Sequence, residues 1–472
     1  MKTRTEHDSL GDVVVPASAY YGAQTGRAVK NYPISGIRAH RVLIKAYGLL
    51  KQACAETNVE LGMIPQRVGR AVVQAAQDVA QGVLDDQFVV DVYQAGAGVS
   101  FHMNVNEVIA NRAIWYLRGR RADKLGDYSI VHPNDHVNFG QSTNDTFPTA
   151  MRLASLLLLE EFYPALAEFE EAFRKKGGEF DGIIKSGRTH MQDAVPIRLG
   201  QEFTAYAVAL QNLGRHIRQN AESLAELGIG GSAVGTGLNA HPKYPRLVVK
   251  RLSALTGLRL HVAPDLRAAM QSQFPMAAVS GALRNLALEL IRIGNDLRLL
   301  TSGPLTGFNE IVLPPLQPGS SIMPGKVNPV MGELLDMVAF QVVGCDTAVA
   351  LAVQAGQLEL NVMMPAMIWN VLHATEILKN TCRAVAHRCI EGIRANREIC
   401  ERYAYLSPSI ATALNPVIGY SRAAEIVKKS LATGKTIPEV CLEEKVLTEQ
   451  ELKKILDPHR MTEPGLPPTR KR

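Results

Sequence analysis

The sequence predicts an all-α protein built around a central bundle of long helices. Apolar residues recur at three- and four-residue steps over several long stretches, which is the spacing of one helix face. Strand and helix patterns do not alternate, so a doubly wound sheet is not expected. Aromatic residues make up only 6% of the 472 residues, and alanine, leucine and valine fill the core positions instead. These side chains suit closely packed helices.

The first predicted domain, residues 1–138, is mixed but mainly helical. Residues 11–26 combine a run of valines with glycine and proline, which favours extended pieces and turns. Helical periodicity then covers residues 40–58. A second helix is expected at 65–84, because Pro65 is a typical residue of a first helical turn.

The second predicted domain, residues 139–394, contains the long helices. Their periodic stretches are 149–163, 200–227, 274–302 and 332–353. Helices that are apolar on most sides bury those sides against one another, so these stretches predict the bundle. The third domain, residues 395–472, is small, with shorter helices expected at 421–432 and 448–455.

Composition and charge exclude several classes of partner. The net charge of +6 arises from 51 basic and 45 acidic residues, and this small, dispersed surplus predicts no nucleic-acid binding. The apolar runs fall far short of the roughly 20 residues that cross a membrane. The first nine residues are polar and lack the apolar stretch of a signal peptide. The six cysteines show no C-x-x-C spacing, so we expect reduced thiols in a cytoplasmic protein.

The segment 319–329 carries the strongest functional signal. It reads Gly-Ser-Ser-Ile-Met-Pro-Gly-Lys-Val-Asn-Pro and lies just before a predicted helix. Its backbone N–H groups and the cation of Lys326 suit a carboxylate or a phosphate. The glycine and lysine spacing does not match a Walker loop. From the residues alone, an anion site and a purely structural loop both remain open.

Two further segments are crowded with polar side chains. Segment 186–196 contains His190, and histidine is suited to proton transfer near neutral pH, although a structural role is equally open. Segment 140–148 contains Ser142, Thr143 and Asn144 in a run of five polar residues. A helix N-cap explains one or two residues of this run, but not all five.

A fourth segment, 94–107, is rich in small residues ahead of a helix that is expected to run through Arg112. Small residues permit close backbone approach, and a helix N-terminus here could receive an anion. None of the four segments contains a cysteine or a histidine-rich cluster. Together they predict a metal-free site for a small polyanion, but they do not define the reaction.

These four segments together closely resemble the aspartase/fumarase superfamily, and the resemblance covers nearly the whole chain. The sequence at 319–329 matches the most specific signature of this family. Supporting motifs lie at 21–25, 187–190, 235–239 and 414–416. Within the family, residues 91–98 and 141–145 have the form found in aspartases rather than in class II fumarases.

The resemblance implies a fold, an assembly and a reaction. We expect a three-domain, all-α chain that forms a homotetramer, with each active site shared by three chains. The expected substrate is a small dicarboxylate, without nucleic acid, membrane or cofactor, although some relatives are activated by a divalent cation. The leading expectation is reversible elimination of ammonia from L-aspartate to give fumarate. The alternatives are a class II fumarase acting on L-malate, a lyase for another amino- or N-substituted succinate, and a non-catalytic protein on the same scaffold.

The resemblance also implies a role for each matching residue. Ser320 matches the base that removes the C3 proton, and Glu333 matches the glutamate that orients His190. Asn144 matches a residue near the leaving amine. The remaining matches hold the two substrate carboxylates: Ser142, Thr143 and Ser321 hold the one that takes the aci form, and Thr189, His190, Lys326 and Asn328 hold the other.

Three residues depart from the family pattern. Val99 stands in place of a threonine that hydrogen-bonds the substrate carboxylate, and the loss of such a bond costs about 1.5–3 kcal/mol. His102 replaces an asparagine, and it either compensates with a new bond or charge or marks a pocket for a different succinate derivative. Leu305 replaces an arginine, and we interpret this as a change in packing rather than in catalysis.

Overall fold

The structure is a computed structural model that describes residues 2–121 and 125–466. It confirms the helical class, since the strands of this part of the chain form only four two-stranded sheets. The chain divides into two compact units. The first comprises the segment up to Pro164, Leu213–Leu288 and Val338–Lys379; the second comprises Ala165–Asn212, Glu289–Met337 and the chain from Asn380 onward. The three domains expected from the sequence stay a prediction, and residues 467–472 lie outside the described part.

The first half of the chain begins with a hairpin and four helices. These elements are β1 (Thr3–Asp8), β2 (Gly11–Pro16), α1 (Ala23–Asn31), α2 (Arg41–Glu60), α3 (Gln66–Gln81) and α4 (Val99–Leu117). Strands β1 and β2 pair antiparallel, which agrees with the extended pieces expected at 11–26. Helices α2 and α3 match the two predicted helices to within three residues at each end.

Helix α1 was not predicted, because a distant residue holds its N-terminus. The backbone N–H groups of Gly22, Gln24 and Thr25 donate to the carboxylate of Glu107 on α4 at 2.8–3.2 Å. The hydroxyl of Thr25 donates to the same carboxylate at 2.6 Å. Burial raises the pKa of Glu107. A helix end needs partners for its free N–H groups, and here a side chain 82 to 85 residues away supplies them.

Five long helices follow, joined by hairpins, short helices and loops. They are α5 (Thr143–Glu179), α6 (Leu199–Ala221), α9 (Phe274–Leu300), α10 (Val330–Gln354) and α11 (Met364–Arg388). Helices α9 and α10 lie within two residues of their predicted bounds. Helix α5 is much longer than the predicted 149–163, because it continues through Pro148 and Pro164. Its buried apolar face, which includes Phe162 and Phe169, offsets the roughly 3 kcal/mol that an interior proline costs.

The remaining elements are short. They are β3 (Ile184–Thr189), β4 (Gln192–Arg198), β5 (Glu226–Leu227), α7 (Tyr244–Thr256), β6 (His261–Val262), α8 (Leu266–Gln271), β7 (Ile311–Val312), β8 (Arg394–Ala395), α12 (Arg397–Leu406), α13 (Asn415–Ile418), α14 (Tyr420–Thr433), α15 (Ile437–Glu443) and α16 (Glu449–Ile455). Helices α14 and α16 confirm the two helices predicted near the C-terminus. Thr448 caps α16 by accepting the N–H of Glu451.

Each unit has its own core. In the first unit, Gly48 lets α2 approach α3 closely, since a Cβ at this position would lie 2.5 Å from the backbone nitrogen of Ala80. The ring of Tyr47 on α2 packs edge-on against Phe101 and Phe147. In the second unit, an aromatic cluster links α5 and α6: Phe169, Phe173, Phe180, Phe203 and Tyr206. All six cysteines are buried free thiols, as expected.

Helix α10 leaves an apolar face uncovered. By length and composition it is the one described helix that could cross a membrane. Within its most apolar stretch of 18 residues, 39% of the residues are buried. Helices of soluble proteins also meet this criterion, so it is a weak indication of a span. Phe340 and Leu351 are 59% and 62% exposed, and with Gly344 and Ala348 they follow helical spacing along one side. This side is therefore unpartnered within residues 2–121 and 125–466.

Candidate active site

The start of α5 positions three of the predicted site residues. The N–H of Ser142 donates to Asp145 Oδ1 at 2.9 Å, and the N–H of Asn144 donates to Ser142 Oγ at 3.2 Å. This exchange caps the helix and fixes Ser142, Thr143 and Asn144 at its positive end. The sequence therefore correctly indicated a cap, which uses only part of the polar run. The hydroxyl of Thr143 and the side-chain amide of Asn144 take no part in this cap.

Asp145 fastens a second segment to this helix start. Its buried carboxylate also accepts the N–H groups of Gly230 and Ser232 at 3.0 and 2.9 Å. Asn144 Nδ2 donates to the carbonyl of Ala233 at 2.8 Å. Burial raises the pKa of Asp145 to about 6, although its three backbone partners oppose the shift. No role for Asp145 was expected from the sequence, although an aspartate at the third position after the cap was an available signal.

Val99 lies at the first residue of α4. The preceding Gly98 has a φ of 91°, and a Cβ on it would fall 2.1 Å from the ring of Phe147. Only glycine permits both this conformation and this approach. Val99 is 41% exposed. Its methyl groups are therefore accessible at the position where the family resemblance implies a hydroxyl.

His102 lies one turn further along α4 and is only 1% exposed. Its Nδ1 is 2.7 Å from Thr143 Oγ1, and its Nε2 is 2.9 Å from Lys51 Nζ. The expectation that His102 compensates for Val99 with a new bond or charge stays a prediction. The contact with Thr143 is the route that the structure offers for it.

Lys51 is a buried lysine beside the candidate site, and no role for it was expected from the sequence. Its ammonium group donates to Asn138 Oδ1 at 3.0 Å and to Gln141 Oε1 at 2.8 Å. Burial lowers the pKa of Lys51 to about 7. Burial and the neighbouring Lys51 hold the pKa of His102 well below its usual value. The available signal was a lysine within the apolar face of α2, where a charge is costly unless it is paired.

Thr189 and His190 lie at the end of the β3–β4 hairpin. Thr189 pairs with Gln192, and His190 and Met191 form the two-residue turn with φ values of 56° and 60°. These angles are typical of a type I′ turn, which matches the twist of the strands. No hairpin was expected here from the sequence. The turn exposes the imidazole of His190.

A buried ion cluster anchors this hairpin. Glu310 is fully buried, and its carboxylate lies 2.8 Å from Arg188 Nη1 and 3.0 Å from Lys185 Nζ. Lys185 also pairs with Glu202 at 3.1 Å, and burial raises the pKa of Glu202. Each buried charge thus has an opposite partner, as burial requires. Arg188 directly precedes Thr189, so the cluster holds the strand that carries the turn.

The 319–329 segment is an ordered loop centred on Ser320. Ser320 Oγ accepts the backbone N–H groups of Met323 and Ile322 at 2.9 and 3.2 Å. Two bonds close the ends of the loop: the N–H of Gly319 donates to the carbonyl of Lys326 at 2.7 Å, and Asn328 Nδ2 donates to the carbonyl of Gly319 at 2.8 Å. Ser321 and Lys326 are exposed.

A cleft of about 840 Å³ adjoins this loop within the second unit. Lys326, Asn328 and Glu333 line it together with Asn295 and Arg298. Glu333 lies in the first turn of α10. Within residues 2–121 and 125–466, no ion pair or hydrogen bond joins Glu333 to His190, so the expected orienting contact does not form inside one chain.

Leu305 shows no packing role within the described part of this chain. It is 94% exposed, so within this chain it packs against little.

The predicted site residues divide between the two compact units. Four lie in the first unit: Val99, Ser142, Thr143 and Asn144. Seven lie in the second unit: Thr189, His190, Ser320, Ser321, Lys326, Asn328 and Glu333. Among the described residues, no group of three or more histidine, cysteine or acidic side chains could hold a metal ion.

Comparison with known proteins decides the family. The family model described as "Lyase" matches residues 11–344, and the model described as "Fumarase C C-terminus" matches residues 410–463. The chain belongs to the aspartase/fumarase superfamily. It is therefore a lyase, and its helical fold is the fold of this superfamily.

The most similar relatives have two different activities. The aspartate ammonia-lyase of Bacillus subtilis is 46% identical over 463 residues, which cover 98% of this chain and 97% of the relative. The class II fumarate hydratase of Thermus aquaticus is also 46% identical, over 98% of this chain and 99% of the relative. The solved structure of a fumarate lyase:delta crystallin from Brucella melitensis bound to cobalt has a TM-score of 0.94 at 46% identity, over 98% of this chain and 100% of that chain. Overall similarity thus establishes a superfamily lyase, but it does not select the leaving group.

Proposed function

We propose that the protein is an aspartate ammonia-lyase that reversibly converts L-aspartate to fumarate and ammonia. The elimination chemistry is supported by one observation: two backbone N–H groups donate hydrogen bonds to Ser320 Oγ. A serine hydroxyl is a weak base in water, and donors aimed at its oxygen stabilise the alkoxide that could accept a C3 proton. The aspartase form of residues 91–98 and 141–145 favours ammonia as the leaving group.

In the proposed reaction, the Ser320 hydroxyl first loses its proton to solvent, and the resulting alkoxide takes the C3 proton of aspartate and becomes a hydroxyl again. The C–H electron pair enters the carboxylate to give the aci form and then forms the C2=C3 bond as the C2–N bond breaks. Ammonia leaves, and Asn144 lies beside it. Ser142, Thr143 and Ser321 donate to the aci-carboxylate, whose developing charge needs several preorganised donors. Lys326 carries a positive charge toward the other carboxylate.

The second carboxylate also requires Thr189, His190 and Asn328. We propose that Glu333 orients His190 from a different chain, since the two do not pair within one chain. This arrangement requires an oligomer, and we propose a homotetramer with each site shared by three chains. The uncovered apolar side of α10, with Phe340 and Leu351, supports an assembly that covers it.

No step in this scheme requires a cofactor, because side chains and backbone groups move the proton and bind the charges. We therefore expect turnover without added cofactor. We also propose a cytoplasmic location, because the six cysteines are free thiols. Activity after treatment with a chelator, measured with and without added Mg²⁺, tests both the cofactor-free reaction and activation by a divalent cation. Loss of all activity in the chelator, restored by Mg²⁺, would contradict a cofactor-free mechanism.

Two other substrates have an observation in their favour. The 46% identity to a class II fumarate hydratase favours L-malate. The methyl groups of Val99 are accessible, and His102 is buried instead of supplying an exposed hydrogen-bond donor. Both observations favour a different amino- or N-substituted succinate. Such a substrate would place an apolar group where aspartate needs a hydrogen bond.

The decisive experiment measures fumarate by its ultraviolet absorbance with L-aspartate, L-malate and an N-substituted aspartate in parallel. The Ser320→Ala variant, purified identically, is the control for contaminating host lyases. Fumarate from aspartate with the wild type, and none with the variant, is the expected result. Fumarate from malate alone would transfer the assignment to fumarase. Product only from the N-substituted substrate would identify a different lyase, and equal activity in Ser320→Ala would remove Ser320 from the base role.

A further inference from the structure

The side chains behind Thr143 form a chain of hydrogen bonds that starts at Lys51. A lysine ammonium group has three N–H donors and no acceptor. Three acceptors surround Lys51 Nζ at 2.8–3.0 Å: Gln141 Oε1, His102 Nε2 and Asn138 Oδ1. The number of donors therefore equals the number of acceptors. In this state His102 Nε2 receives a hydrogen and carries none of its own.

This contact determines the tautomer of His102. A neutral imidazole has one N–H, and with Nε2 acting as acceptor the hydrogen must be on Nδ1. His102 Nδ1 lies 2.7 Å from Thr143 Oγ1, so it donates to that oxygen. The low pKa of His102 keeps the ring neutral, which agrees with this assignment. Because Thr143 Oγ1 accepts from His102, its own hydrogen is directed to another partner.

We infer that His102 is a positioning residue that turns the Thr143 hydroxyl into a donor toward a substrate carboxylate, and that Lys51 fixes this orientation through His102. The inference rests on the proposed function, in which Thr143 binds a carboxylate. His102 itself is 1% exposed, so in this inference it acts through Thr143 rather than by contact. A hydroxyl whose hydrogen already points at the carboxylate needs no reorientation on binding.

A matched pair of variants separates the two faces of the imidazole. In His102→Asn, the short amide places an N–H near the position of Nδ1, so the bond to Thr143 can be kept. In His102→Gln, the longer amide reaches the position of Nε2, so the contact with Lys51 is kept and the bond to Thr143 is lost. One ordinary hydrogen bond corresponds to about a 2- to 12-fold change in affinity. We expect H102Q to weaken dicarboxylate binding by this factor and H102N to restore most of it.

The measurement is calorimetric binding of succinate, an unreactive dicarboxylate, at about pH 6.5, below the pKa of Lys51. The same variants are assayed for KM and kcat with the substrate that the wild type turns over. The two changes are then repeated in Thr143→Val, which removes the hydroxyl. We expect H102Q to have no further effect on binding in that background. An equal effect with and without Thr143, or equal affinity of H102Q and H102N, would overturn the inference.

A second readout does not depend on the stability of the variants. Neutron diffraction from deuterated crystals locates the hydrogen on the ring of His102. Deuterium on Nδ1 and none on Nε2 supports the inference, and deuterium on Nε2 overturns it. A different result would refute the proposed function: a wild type that forms fumarate from none of the succinate substrates. A wild type that is active but insensitive to H102Q would leave the function standing and remove the role of His102.

Discussion

Replacement of Lys51 by methionine should flatten the dependence of stability on pH between about pH 7 and pH 9.5. Burial lowers the pKa of this lysine in the folded protein from 10.5 to about 7. Between these two values the unfolded chain binds a proton that the folded protein does not bind. The free energy of unfolding therefore rises with pH across this window, and the contribution is lost as the pH falls through the folded pKa.

The magnitude follows from the two pKa values. Each pH unit over which the unfolded state alone is protonated contributes about 1.4 kcal/mol. From about pH 7 to about pH 9.5, Lys51 should add about 3 kcal/mol to the free energy of unfolding, after partial protonation at each end is included. Lys51→Met also removes the contacts with His102, Asn138 and Gln141, which shifts the stability of the variant by an additional amount. The slope, rather than the offset, is the diagnostic quantity.

Urea unfolding followed by circular dichroism, at a fixed protein concentration and several pH values, provides the free energies. The buried thiol of Cys54, whose pKa burial raises to about 12, opposes the lysine in both proteins, so the difference between wild type and variant isolates Lys51. Lys45→Met, which removes an exposed lysine from the same helix, is the matched control. Lys51→Gln serves if the methionine variant does not fold. Parallel pH curves for the wild type and the Lys51 variants would refute the reasoning.

Three further predictions concern the site, its scaffold and the assembly. Val99→Thr should raise kcat/KM for aspartate roughly 10-fold or more, since it adds a hydroxyl at an accessible position; unchanged turnover would mean that the pocket fits another substrate. Glu310→Gln should lower the free energy of unfolding by about 3–5 kcal/mol and reduce turnover, because Lys185 and Arg188 lose a buried partner. Unfolding and kinetic assays on one preparation test this prediction, and wild-type values of both quantities would contradict it. Phe340→Glu should convert the proposed tetramer to smaller species in light scattering, and an intact tetramer would show that this side of α10 lies outside the interface.

The sequence predicted the helices well where a local period is strong. Helices α2, α9 and α10 lie within a few residues of their predicted bounds. It failed for α5, whose prolines resemble breakers, and for α1, whose N-terminus depends on Glu107. The β3–β4 hairpin was also missed, because His190 and Met191 are not typical residues of a tight turn. In each case a distant contact or buried surface outweighs the local preference.

The candidate site shows the same division. Ser320, Lys326 and Asn328 could be found from residue types in one short segment. The cap at Ser142 was also visible, since capping depends on a few neighbouring residues. The buried residues that hold the segments of the candidate site were not visible. Glu310, for example, lies 122 residues from Arg188 in the chain.

The helical class, the family and the residue types that we propose to bind an anion were therefore predictable from the sequence alone. These properties depend on local periodicity and on short motifs, which one stretch of chain contains in full. The tertiary structure was needed to show that Lys51, His102 and Thr143 form one chain of hydrogen bonds, because the successive residues are 51 and 41 positions apart. It also decided that His102 is buried behind the site rather than within it. Burial and long-range contacts arise from the packing of whole helices, which no single segment of the sequence specifies.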